Sequence, residues 1–241
     1  HFIRLQYMAI NVDNIPTIAR STFARRETRL KDMPLFMGLS KKDLEEAIVH
    51  THCNRKHHKK GSVITAEGKQ CDSLFFVSEG WVRITTENDN HAYRMEETIQ
   101  APIIIEPDKL FGMTTLYHST YIAHTTCEVL EIIKDEVMRL IEQYLIVRLN
   151  LLNIICRRTQ HLEHLPWTPY NDNAVDAITA FIKAHVHYPA GKKVLYIKMA
   201  QLAKELGYGR LEISKALNAL AEAERIILKR GIIEIPALQL L

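Results

Sequence analysis

The sequence predicts an α+β chain of two units with different periods: a roll of short antiparallel strands, then a long helix, then a winged helix-turn-helix. Three observations carry this reading. Between residues 53 and 133 the apolar spacing shortens towards two, in SVITA, SLFFV, GWVRITT and EVLEII, segments rich in β-branched and aromatic residues and separated by the turn signals AEGK, SEG and ENDN. After Lys134 the spacing turns helical and stays so to residue 165. Near the C-terminus, QLAKELGYGRLEISKAL reads as two short amphipathic helices around a glycine break, and ERIILKRGIIEI then reads as strand, Arg-Gly turn, strand.

In chain order, residues 1–32 form an N-terminal extension whose stretch 11–31 is polar and basic, with Arg20, Arg25, Arg26, Arg29 and Lys31 against Glu27. A solvated helical arm is the simplest expectation, an added dimer or DNA contact the alternative. Residues 33–135 are the roll domain. It opens with MPLFMGLSKKDLEEAI, where Ser40 is placed to cap a helix and Asp43 lies in its first turn. Short strands with tight turns close on themselves to hide their edges, so a small barrel or roll follows.

Residues 136–165 are expected to be one helix, roughly 45 Å long, with apolar Leu140, Tyr144, Leu145, Leu149, Leu152 and Ile155 among Arg139, Arg148, Arg157 and Arg158. A helix of that length on a small roll cannot bury both apolar sides within one chain. Leu145, Leu149, Leu152 and Ile155 are therefore assigned to pairing with the same helix of a second copy. Pro166 and Pro169 in LPWTPY end the helix and mark a linker. Residues 166–241 are the C-terminal unit, with AVDAITAFIKAHV as a helix and VLYIK as a strand ahead of the helix-turn-helix.

Composition narrows the function. No apolar run approaches the roughly 20 residues needed to span a bilayer, and the first residues lack a secretory layout, so a soluble cytoplasmic protein is expected. Four cysteines are scattered with no CxxC, against a zinc ribbon or an iron–sulfur site. A net charge of +3 names no partner; where the charge sits matters more. The string HTHCNRKHH offers His50, His52, Cys53, His57 and His58 as ligand types, but along an exposed strand they splay over both faces, and no metal site is expected. His118 and His124 have no haem motif around them. There is no Ser/His/Asp grouping and no GxxxxxHxH with a spaced glutamate, so the chain is not read as an enzyme; no cofactor is called for.

Within the helix-turn-helix each residue type has a mechanical reason. Small Ala203 lets two helices approach, Gly207 tolerates positive φ at the turn, and Leu202, Leu206, Ile213 and Leu217 form the shared inner face. The outward face of the second helix carries Arg210, Leu211, Glu212, Ser214, Lys215 and Asn218, with Lys229 and Arg230 at the hairpin tip. These donor-rich groups suit phosphates and base edges.

In this order the chain resembles the CRP/FNR family of bacterial transcription regulators over residues 33–241. The resemblance rests on MPLFMGLS, KKGSVITAEGKQCDSLFFVSEGWVRI with Gly61, Gly68 and Gly80, LFGMTTLY, TTCEVLEI and QLAKELGYGRLEISKALNAL. It implies a cyclic-nucleotide-binding-like β-roll (a double-stranded jelly-roll), a long dimerisation helix and a winged helix-turn-helix. It further implies a homodimer on an inverted-repeat duplex, a small-molecule effector, RNA polymerase as a further partner, and a population shift transmitted through the helix pair and the hinge near Pro166. Arg210 matches the family's guanine-reading arginine and Lys215 a second basic position.

The departures are specific. Leu211 stands where an acidic residue commonly follows that arginine, and Gly209 where a serine or threonine cap is usual. The implied effector pocket comprises Phe111, Gly112, Met113, Thr114, Thr115 and Arg83, with Arg94 as another strand-borne cation. Met113 replaces the glutamate that would bind a ribose, and no Arg or Lys lies between residues 110 and 127. A buried phosphate without a cation costs several kcal/mol, so the expected effector is not cyclic AMP or cyclic GMP. Two rivals remain: a ligand-binding module that regulates a partner protein, and a cupin-like metal enzyme.

Overall fold

The computed structural model describes residues 33–164 and 173–241. The basic N-terminal extension and the linker prolines Pro166 and Pro169 lie outside the described residues.

A short 3-10 turn, Pro34–Phe36, buries Leu35 and Phe36. It leads into α1 (Lys41–His50), where Ser40 Oγ accepts from the Asp43 N–H at 3.1 Å as the cap expectation requires. Eight strands follow: β1 (Cys53–His58), β2 (Val63–Thr65), β3 (Ser73–Glu79), β4 (Trp81–Glu87), β5 (Tyr93–Gln100), β6 (Ile103–Ile105), β7 (Thr120–Ala123) and β8 (Cys127–Ile133). They form two sheets, one ordered β1-β8-β3-β6 and the other containing β2-β7-β4-β5, all neighbours antiparallel. Leu74, Phe76, Val82, Ile84, Ile105, Leu130 and Ile132 are buried in the roll's core. β1 is the edge strand of its sheet, exposed from Asn54 to His57 and half-buried at Cys53 and His58. Gly80 joins β3 to β4 at φ +100, and a Cβ there would overlap the Thr126 carbonyl and stand 2.8 Å from Cys127 Sγ.

The long helix departs from expectation. It is two helices, α2 (Lys134–Gln143) and α3 (Leu145–His164), broken at Tyr144, which is extended at φ −117, ψ 109. Neither glycine nor proline marks the break. Arg148 stabilises it by donating from Nε to the Ile141 carbonyl at 2.7 Å and from Nη2 to the Glu142 carbonyl at 3.3 Å, two acceptors that the interrupted ladder leaves unmet. The one-residue change of phase lets Tyr144, Val147 and Leu151 turn into the roll's core.

The C-terminal unit contains α4 (Ala174–Ala184), β9 (Lys193–Ile197), α5 (Met199–Leu206), α6 (Arg210–Glu222), β10 (Ile227–Lys229) and β11 (Ile232–Ile235). Asn173 caps α4 by accepting from the Asp176 N–H at 2.9 Å. Ile178, Ile182, Leu195, Leu202, Ile213, Leu217, Leu220 and Ile235 fill its own core.

One sheet crosses both units. Its order is β10-β11-β9-β5-β4-β7-β2, and β9 runs antiparallel to β5 from Tyr93↔Ile197 to Glu97↔Lys193. The cores interlock across this seam. Met95 of β5 is buried in the second core, while Tyr188 packs against the first. The expected picture of two units tied by a linker therefore lacked a backbone splice; an unpaired β5 edge would leave a row of donors and acceptors that a further strand can satisfy. Among the described residues no helix is long and apolar enough to cross a membrane.

Candidate nucleic-acid interface and sensor site

The helix-turn-helix forms where the sequence placed it. Leu202, Ala203, Ile213 and Leu217 are buried at the contact of α5 with α6 and its neighbours, and Leu206 packs at the margin. Gly207 takes φ +71 as the α5 C-cap. Arg210, Leu211, Glu212, Lys215 and Asn218 are exposed on one side of α6, with Ser214 half-buried. Glu212 has a local duty: its Oε2 accepts the Gly209 N–H at 2.9 Å, the half of a capping box that does not need a side chain at the N-cap. That engagement takes Glu212 out of the base-reading set in this conformation.

The hairpin β10–β11 turns through Arg230 and Gly231, with Gly231 at φ +73. Lys229 is ion-paired with Glu234, whose carboxyl is held below the usual range chiefly by that hydrogen bond, and Lys192 approaches the same carboxylate at 3.9 Å. Lys229 is thus partly neutralised by its own hairpin, whereas Arg230 is exposed at the tip.

On α3, Leu145, Leu149 and Leu152 are 61%, 46% and 51% exposed, a continuous apolar stripe at helical spacing. Ile155 does not share it. It is partly buried against the roll's own core, because the 3.6-residue period carries it round the helix from the line of the other three.

The residues expected to line the effector pocket do not converge. No helix forms over residues 110–116; a 3-10 turn at Pro107–Lys109 precedes them. Met113 is fully exposed, Gly112 and Thr114 are exposed, and Phe111 lies under the Lys134 ammonium at 5.0 Å. Thr115 Oγ1 accepts from Gln70 at 2.6 Å. Arg83 alternates with buried Val82 and Ile84 along β4 and so lies on the sheet's other face, a second correction dictated by the strand period of two. Arg94 faces the C-terminal unit, its guanidinium 4.2 Å from the centre of the Tyr196 ring.

The structure builds a different polar cluster nearby. Glu106 is buried with left-handed backbone, φ +32, and accepts from the N–H groups of His118 at 2.8 Å and Ser119 at 3.0 Å, and from the Tyr121 hydroxyl at 3.3 Å. Ser119 Oγ and Thr86 Oγ1 lie 2.7 Å apart, and both meet His187 Nε2, at 2.9 and 3.2 Å. Arg158 pairs with Asp108 at 3.0 Å and points Nη2 at His187 Nδ1 across 3.4 Å. A guanidinium only donates, so Nδ1 accepts and the imidazole hydrogen sits on Nε2, aimed at the two hydroxyls. Burial, followed by the Arg158 charge, lowers the His187 pKa to about 4. Thr86, Glu106, Ser119, Arg158 and His187 were not singled out from the sequence; a glutamate before Pro107 and a histidine in a loop carry no local pattern.

Two comparisons bear on this arrangement. The family model for the cyclic nucleotide-binding domain matches residues 55–144, the strands of the roll and α2. The cyclic AMP receptor protein of Thermus thermophilus is 24% identical over 215 residues, covering 86% of this chain and 94% of that protein. Residues 55–144 are thus similar to a cyclic nucleotide-binding domain, and the chain as a whole is similar to that receptor protein. Among solved structures, the Thermus thermophilus catabolite activator protein aligns with a TM-score of 0.49 at 22% identity, covering 84% of this chain and 93% of its own. The sensor domain of the transcriptional regulator DNR from Pseudomonas aeruginosa gives 0.49 at 18% identity, over 59% of this chain and 95% of that one. The matched span covers the strands of the roll, and Glu106 and His187 are the centres of its polar cluster.

Proposed function

We propose that this protein is a homodimeric, non-enzymatic transcription regulator that binds an inverted-repeat duplex and is controlled through its roll. The carrying observation is α6: a helix with a fully buried inner face and an outward row of Arg210, Lys215 and Asn218, held at a glycine turn against α5. A bidentate arginine–guanine contact contributes about 1–3 kcal/mol of discrimination. The Leu145–Leu149–Leu152 stripe supports the dimer, since an exposed apolar line on a helix of about 30 Å is the kind of surface a twin helix covers.

The effector reading keeps to a ligand other than a cyclic nucleotide. The relative's name specifies cyclic AMP, but here the paired amides of His118 and Ser119 are satisfied by the Glu106 carboxylate. A phosphate would have to meet that charge at close range; residues 110–127 hold no Arg or Lys, and Arg158, the cation of the cluster, is already paired with Asp108 at 3.0 Å.

Selection of genomic fragments by the purified protein tests the function. Enrichment of a palindromic sequence is expected, and Arg210→Ala should lower affinity for it by about tenfold or more while binding to unrelated duplex persists. No enrichment, with an unchanged preference in Arg210→Ala, would refute the reading.

A further inference from the structure

Inside the roll the amides of His118 and Ser119 are engaged by the roll's own Glu106, but the hydroxyls of Ser119 and Thr86 are engaged by a residue of the C-terminal unit. His187 Nε2 meets Ser119 and Thr86. The N–H groups of His187 and Tyr188 end on the two oxygens of Glu97, at 2.7 and 3.1 Å. Glu97 also meets Lys193 Nζ at 2.9 Å, and both side chains are fully buried. The same contact continues as the β5–β9 ladder, with Met95 sunk in one core and Tyr188 against the other.

A buried ion pair makes such a seam all-or-none. Together the two charges are matched; apart, each returns to water; a half-opened seam would leave one buried and unmatched.

We propose that residues 185–190 act as an internal ligand of the roll, and that the β5–β9 splice is a latch between the roll and the DNA-binding unit. Docking and occupation of Ser119 and Thr86 by another molecule are mutually exclusive, so a ligand that takes those hydroxyls displaces His187 and releases the latch. The docked form is the weaker DNA binder. Because the strands are antiparallel and Tyr93 faces Ile197, next to the α5 N-cap Lys198, the β4–β5 hairpin at residues 88–92 continues alongside the helix-turn-helix. Tyr93 at the end of that hairpin touches the C-terminal unit directly, its hydroxyl 3.1 Å from His185 Nε2 and its ring edge-on to Phe181 of α4, and Asp89 is the carboxylate of residues 88–92. Carboxylates there oppose phosphates. The affinity statement rests on the DNA-binding reading above; the latch does not.

Two variants of the full chain test it. Lys193→Glu sets a second carboxylate against Glu97 and penalises only the docked form, since released β5 and β9 are solvated. Glu96→Cys with Val194→Cys, a facing pair, locks the splice on oxidation, with the oxidised wild type as control for Cys156. Amide exchange is followed at residues 93–97 and 193–197, with residues 73–79 and 127–133 as the internal reference. Lys193→Glu should speed exchange at the seam by at least about tenfold with the reference unchanged, and the oxidised pair should slow it. Unchanged exchange at the seam, or equal acceleration of the reference, overturns the latch. Against an enriched duplex, the oxidised pair should bind about tenfold more weakly than the same protein reduced. Equal affinities, with the exchange shifts as expected, overturn the coupling to DNA. Absence of duplex binding in every form, with those shifts intact, supports the latch and refutes the DNA-binding reading instead.

Discussion

The helix-turn-helix and the polar cluster of the roll use similar side chains for opposite ends. In α6, Arg210, Lys215 and Asn218 project into solvent from a helix whose other face is sealed by Ile213, Leu217 and Leu220. In the roll, Glu106, Ser119, Thr86, Arg158 and His187 turn inward and satisfy one another. The first arrangement is rigid beneath and open above, as a surface for an external partner must be. The second is closed, and any molecule that enters it must replace bonds already made. The difference teaches where control can reside: the outward face of α6 is already open, while the polar cluster is covered by His187 of the other unit.

Two glycines break that comparison most sharply. Gly80 in the roll and Gly207 in the helix-turn-helix both have positive φ, but only Gly80 is also crowded by backbone. Gly80→Ala should destabilise the roll by about 3 kcal/mol or more, combining overpacking against the Thr126 carbonyl with backbone strain. Denaturant unfolding followed by tryptophan fluorescence checks it, since Trp81 is adjacent. The next largest effect is expected on assembly. Leu149→Glu places a charge in the middle of the exposed α3 stripe, and should raise the dimer dissociation constant by about a hundredfold with the fold intact. Sedimentation velocity measures this; an unchanged dimer would move the interface off the stripe.

How far these features could be read in advance follows from how local their causes are. The Ser40 cap, the Gly207 turn, the strands and the inner face of the helix-turn-helix each depend on residues within a few positions, and the sequence displays them. The break at Tyr144 depends on which side of the helix meets the roll, a tertiary cause that overrides good local helix formers. Ile155 lies off the exposed line because the helical period drifts along α3. Charge alone nominates Arg83 for the pocket, whereas its parity along β4 sets it on the face opposite Val82 and Ile84. The seam was the least legible feature: MEETIQ and KKVLYIK each read as strand, and nothing in either announces that Glu97 and Lys193 meet in a dry interior.

The seam should also respond to acid. His187 is docked as a neutral imidazole with pKa about 4, facing Arg158, Glu106, His118 and Asp108, and receiving no charge-matching partner of its own beyond those. Released into water it would titrate near 6.5. Between these values the docked form holds fewer protons than the released form, so docking is at full strength above about pH 6.5 and weakens as pH falls towards 4. From pH 7 to pH 5 the released fraction should rise on the order of tenfold. Amide exchange at residues 93–97, corrected for its intrinsic pH dependence, reads the change, and His187→Gln, which keeps a hydrogen-bonding side chain without a titrating one, should flatten it.

The smallest effect belongs to the turn that the comparison began with. Gly207 has nothing within 4 Å of the position a Cβ would take, so Gly207→Ala meets no steric opposition and costs only the left-handed backbone, about 1 kcal/mol. That cost falls on the C-terminal unit alone, whereas Gly80→Ala acts on the roll. If the seam joins the two units as tightly as its buried ion pair implies, Gly207→Ala should lower the unfolding midpoint of the whole molecule in one transition. Two transitions, with the roll's unchanged, would mean that the units unfold independently and that the splice contributes little to their common stability. The same experiment on Lys193→Glu then has a defined expectation: the single transition should split, because the variant removes the coupling while leaving each core intact.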